Sequence, residues 1–153
     1  MSRYGKLIFL DEENTGLGVL AAGLFRRMLK ESALEMKVYS RGLVVLFPEP
    51  ANQKIAQIGE KQGISLEGHR AMALSAEDLK EGVLVLAMDN ASKARAFKAF
   101  PGFLDIHTLK EYVGENGDIR LPIGESLEIY EGVCLAVGRL LERLAEKLKE
   151  EVN

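Results

Sequence analysis

The sequence contains no tryptophan, one cysteine and four prolines, and the shortage of cysteine limits what the protein can be. A single cysteine, Cys134, cannot form an internal disulfide and excludes a metal site built from several cysteines. It is compatible with a reducing cytosol, so we expect a cytoplasmic protein. No apolar segment approaches the roughly 20 residues that cross a bilayer, and the first residues lack the pattern of a secretory signal peptide. We therefore expect no membrane partner.

The chain also lacks an excess of basic residues. Its 20 lysines and arginines are outnumbered by 23 aspartates and glutamates, which gives a net charge of -3. Proteins that bind nucleic acid usually carry the opposite balance, so we expect no nucleic-acid partner. With 153 residues, 47% of them hydrophobic and 28% charged, the sequence has the size and composition of one globular domain over residues 1–153.

Apolar runs of strand length alternate with segments of helical periodicity. The predicted strands are Tyr4–Leu10, Met36–Ser40, Val83–Met88 and Phe103–His107. The predicted helices are Leu17–Ser32, Ala51–Gly63, Asn90–Phe100, a short one that begins with a capping box at Thr108 and reaches Tyr112, and a last one from Glu125 to the C-terminus. This alternation is typical of an α/β fold, so we predict a doubly wound, four-stranded parallel sheet with helices on both faces.

The loop between the first strand and the first helix is predicted to lie at the ligand-binding edge of that sheet. It consists of Asp11, Glu12, Glu13, Asn14, Thr15, Gly16, Leu17 and Gly18. Backbone N–H groups at the start of the following helix attract anions, yet the loop opens with three acids. It matches neither the phosphate loop of nucleotide hydrolases nor G-x-G-x-x-G, and its glycines are also explained as turn and packing residues.

Several motifs, taken in order, resemble those of the low-molecular-weight protein tyrosine phosphatases. They are KLIFL, AGLFRRML, GISLEGHRAMALSAEDL, VLVLAMD, IHTLKEYVGENGDI and PIGESLEIY. The motifs near the C-terminus are most similar to the bacterial protein-arginine phosphatase branch, whereas GISLEGHRA and LAMD are typical of the superfamily. The resemblance covers almost the whole chain and implies the fold predicted above.

The resemblance also implies a set of catalytic positions, and this sequence departs from the family at each of them. Family members carry a nucleophilic cysteine and a phosphate-binding arginine after the first strand, and a proton-donating aspartate late in the chain. The corresponding residues here are Asp11, Leu17 and Leu121, the family's serine is replaced by Gly18, and Asn14 keeps its family identity. Residues 11–18 are therefore predicted to form a degenerate phosphate loop in a catalytically inactive protein, with no cofactor and no metal.

Two classes of function stay open from the sequence. The first is a binding or regulatory protein that keeps the phosphatase scaffold and recognises an unidentified protein partner through the rim of the loop or through the last helix. The second is an enzyme with altered chemistry at the acidic loop. A tyrosine or arginine phosphatase, as the family name implies, is a further alternative, and the missing loop cysteine argues against it.

The orientation of Asp11 has three interpretations. Its carboxylate either points inward and accepts N–H groups that a phosphate would otherwise take, or it is a solvated turn or capping residue, or the acids hold a hard cation. Arg41 either pairs with Asp11 or Glu12 or is exposed. His69 and His107 have no cysteine or second histidine at ligand spacing, so both are predicted to be structural.

The last predicted helix is long enough to raise the question of self-association. From Glu125 to Val152 it would measure about 42 Å, whereas strands of ordinary length span only about 17–20 Å. Its apolar residues recur at three- and four-residue steps, at Leu140, Leu141, Leu144, Leu148 and Val152. This stripe either completes the domain's own core or forms the interface of a homodimer.

Overall fold

The computed structural model describes residues 3–151 and confirms the predicted α/β architecture. One parallel sheet consists of β1 (Lys6–Asp11), β2 (Lys37–Gly42), β3 (Val83–Ala87) and β4 (Ile106–Thr108) in the order β2-β1-β3-β4. The helices of the described chain are α1 (Leu17–Lys30), α2 (Gln53–Lys61), α3 (Asn90–Ala99), α4 (Leu109–Tyr112) and α5 (Leu127–Glu150). In this order the winding direction changes between β1 and β3, so the loops that follow these two strands meet at the carboxyl edge of the sheet.

Two apolar layers cover the two faces of the sheet. Leu7 and Phe9 of β1 pack into the layer that contains α1, α2, α4 and α5. Ile8 and Leu10 pack into the opposite layer, which includes Ala96 of α3. Alternate residues of β1 therefore serve opposite layers, as the two-residue period of a strand requires. The central strand β3 is buried along its whole length, which is typical of a parallel strand covered on both faces.

Strand boundaries differ from the predicted ones where backbone pairing decides them. The second strand continues past the predicted Ser40 because Gly42 stays paired with Asp11 of β1. The fourth strand is confined to three residues, fewer than the predicted Phe103–His107, because β4 pairs with only the last three residues of β3. The first strand begins at Lys6, two residues later than predicted.

Helix boundaries follow caps that the apolar periodicity did not locate. The side chains of Asn52 and Ser126 accept N–H groups of the first turns of α2 and α5, so both helices begin two residues later than predicted. The helices α1 and α2 each end two residues before their predicted ends, and α3 ends one residue before. The capping box of Thr108 and Glu111 at the start of α4 is confirmed.

Helix α5 packs against α1, α2 and α4, and its leucine stripe lies inside the domain. Leu140, Leu141, Leu144 and Leu148 are each at most 4% exposed. Of the two interpretations of the stripe, completion of the domain's own core is confirmed for these four leucines, while Val152 lies outside the described residues. Neither α5 nor any other helix of residues 3–151 combines the length and the apolar character of a membrane span.

Candidate functional site

An open cleft of about 330 Å³ lies at the carboxyl edge of the sheet. The loop after β1, the loop after β3 and the segment 119–123 contribute to it. Its lining residues are Asp11, Glu12, Glu13, Thr15, Gly16, Leu17, Met88, Asp89, Ile119, Arg120, Leu121 and Ile123. We call it the edge cleft. The location agrees with the rule that ligands of doubly wound sheets bind where the strand order reverses.

The carboxylate of Asp11 points into the loop and binds two of its amide groups. Its Oδ1 accepts a hydrogen bond from the N–H of Asn14 at 2.5 Å, and its Oδ2 accepts one from the N–H of Gly18 at 2.9 Å. The inward orientation predicted as one alternative is therefore confirmed. Because Gly18 lies in the first turn of α1, the same carboxylate also stabilises the positive end of that helix.

Burial changes the pKa of this carboxyl group. It raises the pKa of Asp11 to about 6, although hydrogen bonds from the backbone N–H groups of Gly18, Asn14 and Gly16 act in the opposite direction. The nearby carboxylate of Asp89 adds a smaller increase to the pKa. At neutral pH Asp11 is therefore mostly ionised, and a modest fall in pH neutralises it.

The close packing of the loop requires glycine at two positions. A Cβ atom on Gly18 would lie 3.0 Å from Oδ2 of Asp11, so a side chain there would crowd the carboxylate. A Cβ atom on Gly42, at the end of β2, would lie 2.8 Å from the backbone nitrogen of Asn14 and 2.9 Å from the carbonyl carbon of Glu13. These backbone atoms cannot move aside without shifting the loop.

Asn14 fixes the middle of the loop. Its backbone is left-handed with φ 60°, a conformation that asparagine adopts more readily than most residues. The side chain is fully buried, and its Oδ1 accepts a hydrogen bond from the N–H of Met72 at 2.8 Å. Within the described chain, Nδ2 of Asn14 is buried without a hydrogen-bond partner, which typically costs about 1–3 kcal/mol.

Both histidines have structural partners, as predicted. Nε2 of His69 donates a hydrogen bond to the carbonyl oxygen of Asn14 at 2.7 Å, so this histidine supports the loop from outside the cleft. His107 lies 3.7 Å from the carboxylate of Glu111 and packs against the ring of Tyr112. Burial lowers the pKa of His107, which keeps its ring mostly neutral at pH 7.

Both predicted environments of Arg41 are wrong, since it neither pairs with Asp11 or Glu12 nor lies exposed. Its Nε donates a hydrogen bond to Oδ2 of Asp78 at 3.1 Å, and only 15% of its side chain is exposed. Asp78 ends a 3₁₀ turn, Ala76–Asp78, that the periodicity analysis missed. The S-x-x-D capping box of that turn was the sequence signal that could have located it.

The alkyl side chains at two positions singled out by the resemblance pack against the loop and the core. Leu17 is 4% exposed and belongs to the apolar layer around α1. Leu121 lies over the loop, because a Cβ atom on Gly16 would be 3.4 Å from its Cδ2. Cys134 is buried in α5, and burial raises the pKa of its thiol.

Several residues of the cleft come from other parts of the chain and were not predicted from the sequence. Asp89 follows β3 at the same sheet edge and also caps α3, with its carboxylate accepting the N–H of Ser92 at 2.7 Å. Its place directly after a buried strand was the signal that could have identified it. In residues 3–151 no group of three or more His, Cys, Asp or Glu side chains is arranged to hold a metal ion.

Comparison with known proteins places this chain in a family. The sequence profile described as "Low molecular weight phosphotyrosine protein phosphatase" matches residues 6–153. The chain belongs to this phosphatase family. The family resemblance drawn from the motifs is thereby confirmed.

Similar members of the low-molecular-weight phosphatase family include two protein-arginine-phosphatases. The protein from Bacillus subtilis is 31% identical over 147 residues, which cover 95% of this chain and 97% of the relative. The protein from Geobacillus stearothermophilus is 30% identical over 148 residues, with 95% and 97% covered. The crystal structure of a low-molecular-weight protein tyrosine phosphatase from T. tengcongensis superposes with a TM-score of 0.89 and 32% identity, over 94% of this chain and 99% of that chain.

Proposed function

We propose that this family member is a catalytically inactive phosphatase-like protein, a pseudophosphatase, that binds a protein partner in place of hydrolysing a phosphate. The observation that carries the proposal is the carboxylate of Asp11, which takes the amide groups of Asn14 and Gly18 for itself. A phosphate bound to these amides would meet a negative charge in the same place. The loop keeps its shape without a ligand because its own side chain satisfies it.

The chemistry of the family supports the same proposal. As the resemblance implies, family members use a thiolate to attack phosphorus, an arginine to hold the phosphoryl oxygens and an aspartic acid to protonate the leaving group. The corresponding side chains here are those of Asp11, Leu17 and Leu121. Loss of the nucleophile alone lowers the rate by a factor of about 10⁶ in a well-studied enzyme. Here the phosphate-binding arginine and the proton-donating aspartate are replaced as well.

The proposal extends to the setting of the protein. One buried thiol suits a reducing compartment, so we place the protein in the cytoplasm. A homodimer through α5 stays a prediction, and it would have to use helix surface outside the leucine stripe, where Ile129 and Leu135 are exposed, because the stripe is buried.

Hydrolysis assays test the proposal against the phosphatase activity that family membership favours. Purified protein is incubated with p-nitrophenyl phosphate and with a phosphoarginine-containing protein, and the Bacillus subtilis relative serves as the positive control. We expect no turnover above buffer. The variant Asp11→Cys should also be inactive, because Leu17 and Leu121 still stand in place of the phosphate-binding arginine and the proton-donating aspartate.

Two outcomes would contradict the pseudophosphatase proposal. Turnover by the unmodified protein that disappears in Asp11→Ala would assign catalysis to the acidic loop and would favour an enzyme with altered chemistry. If turnover survives this substitution and its specific activity rises with each purification step, the protein hydrolyses a phosphate substrate without Asp11.

A further inference from the structure

Exposed apolar side chains are concentrated on segments next to the loop of the edge cleft, and one of them, Ile123, lines the cleft itself. The described chain exposes eight large apolar side chains, and five of them lie in segments that border the loop: Val44, Leu46, Phe47, Met72 and Ile123. Leu46 is 82% exposed, Phe47 68% and Ile123 80%. Large exposed apolar side chains that gather near one site are a mark of an interaction surface. We call these five residues the apolar rim.

Backbone hydrogen bonds hold the apolar rim beside the loop. The N–H of Val44 donates to the carbonyl of Glu12 at 2.8 Å, and the N–H of Asn52 donates to the carbonyl of Thr15 at 2.7 Å. The rim side chains of Leu46 and Phe47 lie on the chain between these anchor points. Met72 donates its own N–H to the buried asparagine of the loop at 2.8 Å. Four of the five rim residues are therefore fixed to the loop, and the fifth, Ile123, lines the cleft directly.

The edge cleft itself is acidic. Its charged lining residues are four acids and one arginine: Asp11, Glu12, Glu13, Asp89 and Arg120. Arg120 lies 3.0 Å from Asp118, but its side chain is 81% exposed, and this one cation offsets only one of the four acids of the lining. Glu12 lies 3.4 Å from Arg95, but both side chains are more than half exposed, and such surface pairs hold little energy. The cleft therefore presents a net negative charge to an approaching ligand.

We propose that the edge cleft and the apolar rim bind a protein segment that combines apolar side chains with an arginine or a lysine. The cationic group enters the cleft, and the apolar side chains cover the rim. The inference rests on the proposed non-catalytic function, because a phosphatase would have to accept an anion at this place. The cleft volume of about 330 Å³ lies at the small end of ligand pockets, which suits one long side chain.

Charge complementarity selects this occupant over other protein segments. An acidic or phosphorylated segment would bring like charges to four carboxylates, and like-charge contacts suppress wrong partners. A neutral apolar segment would cover the rim but would leave the acids of the cleft unpaired. A segment with both features satisfies both surfaces at once.

Three fluorescent peptides of equal length test the chemistry of the partner. One alternates leucine with arginine, the second has glutamine in place of each arginine, and the third has glutamate. Fluorescence anisotropy at pH 7.5 and low salt measures each dissociation constant. We expect the arginine peptide to bind at least roughly tenfold more tightly than the glutamine peptide, and its affinity to fall as salt screens the exposed charges. The glutamate peptide should bind weakest.

Matched variants test where the arginine peptide binds. Glu12→Gln with Glu13→Gln should weaken binding by roughly tenfold, because two exposed charges are lost. The control is Glu60→Gln with Glu67→Gln, which removes two exposed carboxylates from a different cleft of about 320 Å³ beside α2. This control should change affinity by less than about twofold.

The apolar contribution has its own matched pair. The double variant Leu46→Ser with Phe47→Ser should raise the dissociation constant of the arginine peptide by roughly tenfold, because two exposed side chains lose their apolar contact with it. Leu104→Ser with Leu135→Ser removes two side chains that are 76% and 58% exposed elsewhere on the surface, and it should leave binding unchanged. The circular dichroism spectra of all variants should match that of the unmodified protein.

The outcomes separate this inference from the proposed function. The inference is overturned if the arginine peptide does not bind at millimolar concentration, if the glutamine or glutamate peptide binds as tightly, or if a control pair weakens binding as much as its matched test pair. Any of these results leaves the pseudophosphatase proposal standing as long as hydrolysis is absent. Hydrolysis of a phosphate substrate would instead remove the proposed function on which the inference depends.

Discussion

Removal of the Asp11 carboxylate should make the loop a better site for a small anion. The magnitude follows from the geometry, because an anion bound to the amides of Asn14 and Gly18 would occupy the position of this carboxylate or lie directly beside it. At about 4 Å and an effective dielectric constant near 20, one charge repels another by roughly 4 kcal/mol. The helix end offers only about 0.3–1 kcal/mol, and up to about 2 when partly buried. Repulsion therefore dominates while Asp11 is ionised.

Sulfate is the suitable probe because it stays a dianion from pH 5 to pH 8. Isothermal titration at pH 8 should show that Asp11→Ala binds sulfate at least tenfold more tightly than the unmodified protein, with an upper limit of about a thousandfold per anion charge. Since the pKa of Asp11 is about 6, the unmodified protein should also gain sulfate affinity as the pH falls from 8 to 5. In Asp11→Ala this pH dependence should disappear.

Glu13→Ala is the control for this experiment, because Glu13 is exposed and its side chain makes none of the loop bonds. It removes an equal charge from a neighbouring position of the loop. If Glu13→Ala gained as much sulfate affinity as Asp11→Ala, a general effect of net charge would explain both results. If neither variant gained affinity, the carboxylate of Asp11 would not be what excludes anions from the loop.

Three further predictions concern stability. The folded-state pKa of Asp11, about 6, exceeds its usual value near 3.9, so protonation of this group stabilises the fold fully below about pH 4. This stabilisation is lost as the pH rises through about 6. In urea unfolding the protein should therefore lose up to about 3 kcal/mol of stability relative to Asp11→Asn between pH 4 and pH 7. Gly42→Ala should lower the free energy of unfolding by about 1–3 kcal/mol, because its Cβ would lie 2.8 Å from a loop nitrogen. The control, Gly138→Ala, would place its Cβ in open space and should be neutral or slightly stabilising. Equal urea midpoints for the two variants would contradict this prediction. Leu144→Ala should lower the free energy of unfolding by about 2–5 kcal/mol, and Leu144→Glu should unfold the domain, because this side chain is fully buried. A Leu144→Glu protein that is folded by light scattering and circular dichroism would refute the assignment of Leu144 to the core.

Local patterns were sufficient to predict the fold. The continuous apolar run of β3 and the helical periodicity of α1 and α5 are properties of short segments, and each segment has the predicted type in the structure. Boundaries were less accurate where a cap or a pairing partner decides them. The sequence does not state that Gly42 remains in register with Asp11, because this pairing forms between strands that are separated by the whole of α1.

The candidate site was predictable in its centre and not at its edges. The inward orientation of Asp11 was one of three alternatives and followed from its place at the family's nucleophile position; its partners, Asn14 and Gly18, lie only three and seven residues away. The pairing of Arg41 with Asp78 joins residues 37 positions apart, and no local pattern indicates it. The same limit applies to the apolar rim, whose members come from three separate segments that only the folded chain brings to one edge.

The structure separates the shape of the loop from the ligand that such a loop ordinarily holds. The close approach of Gly42, the left-handed backbone of Asn14 and the support from His69 define the shape, and none of them requires an anion. Asp11 supplies the remaining hydrogen-bond acceptor from within the chain, at the cost of burying a carboxylate whose pKa rises to about 6. A loop satisfied in this way leaves the surrounding edge free to evolve a different recognition surface. The sign of that surface is then set by the acids that remain, so we expect this edge of the sheet to favour a cation.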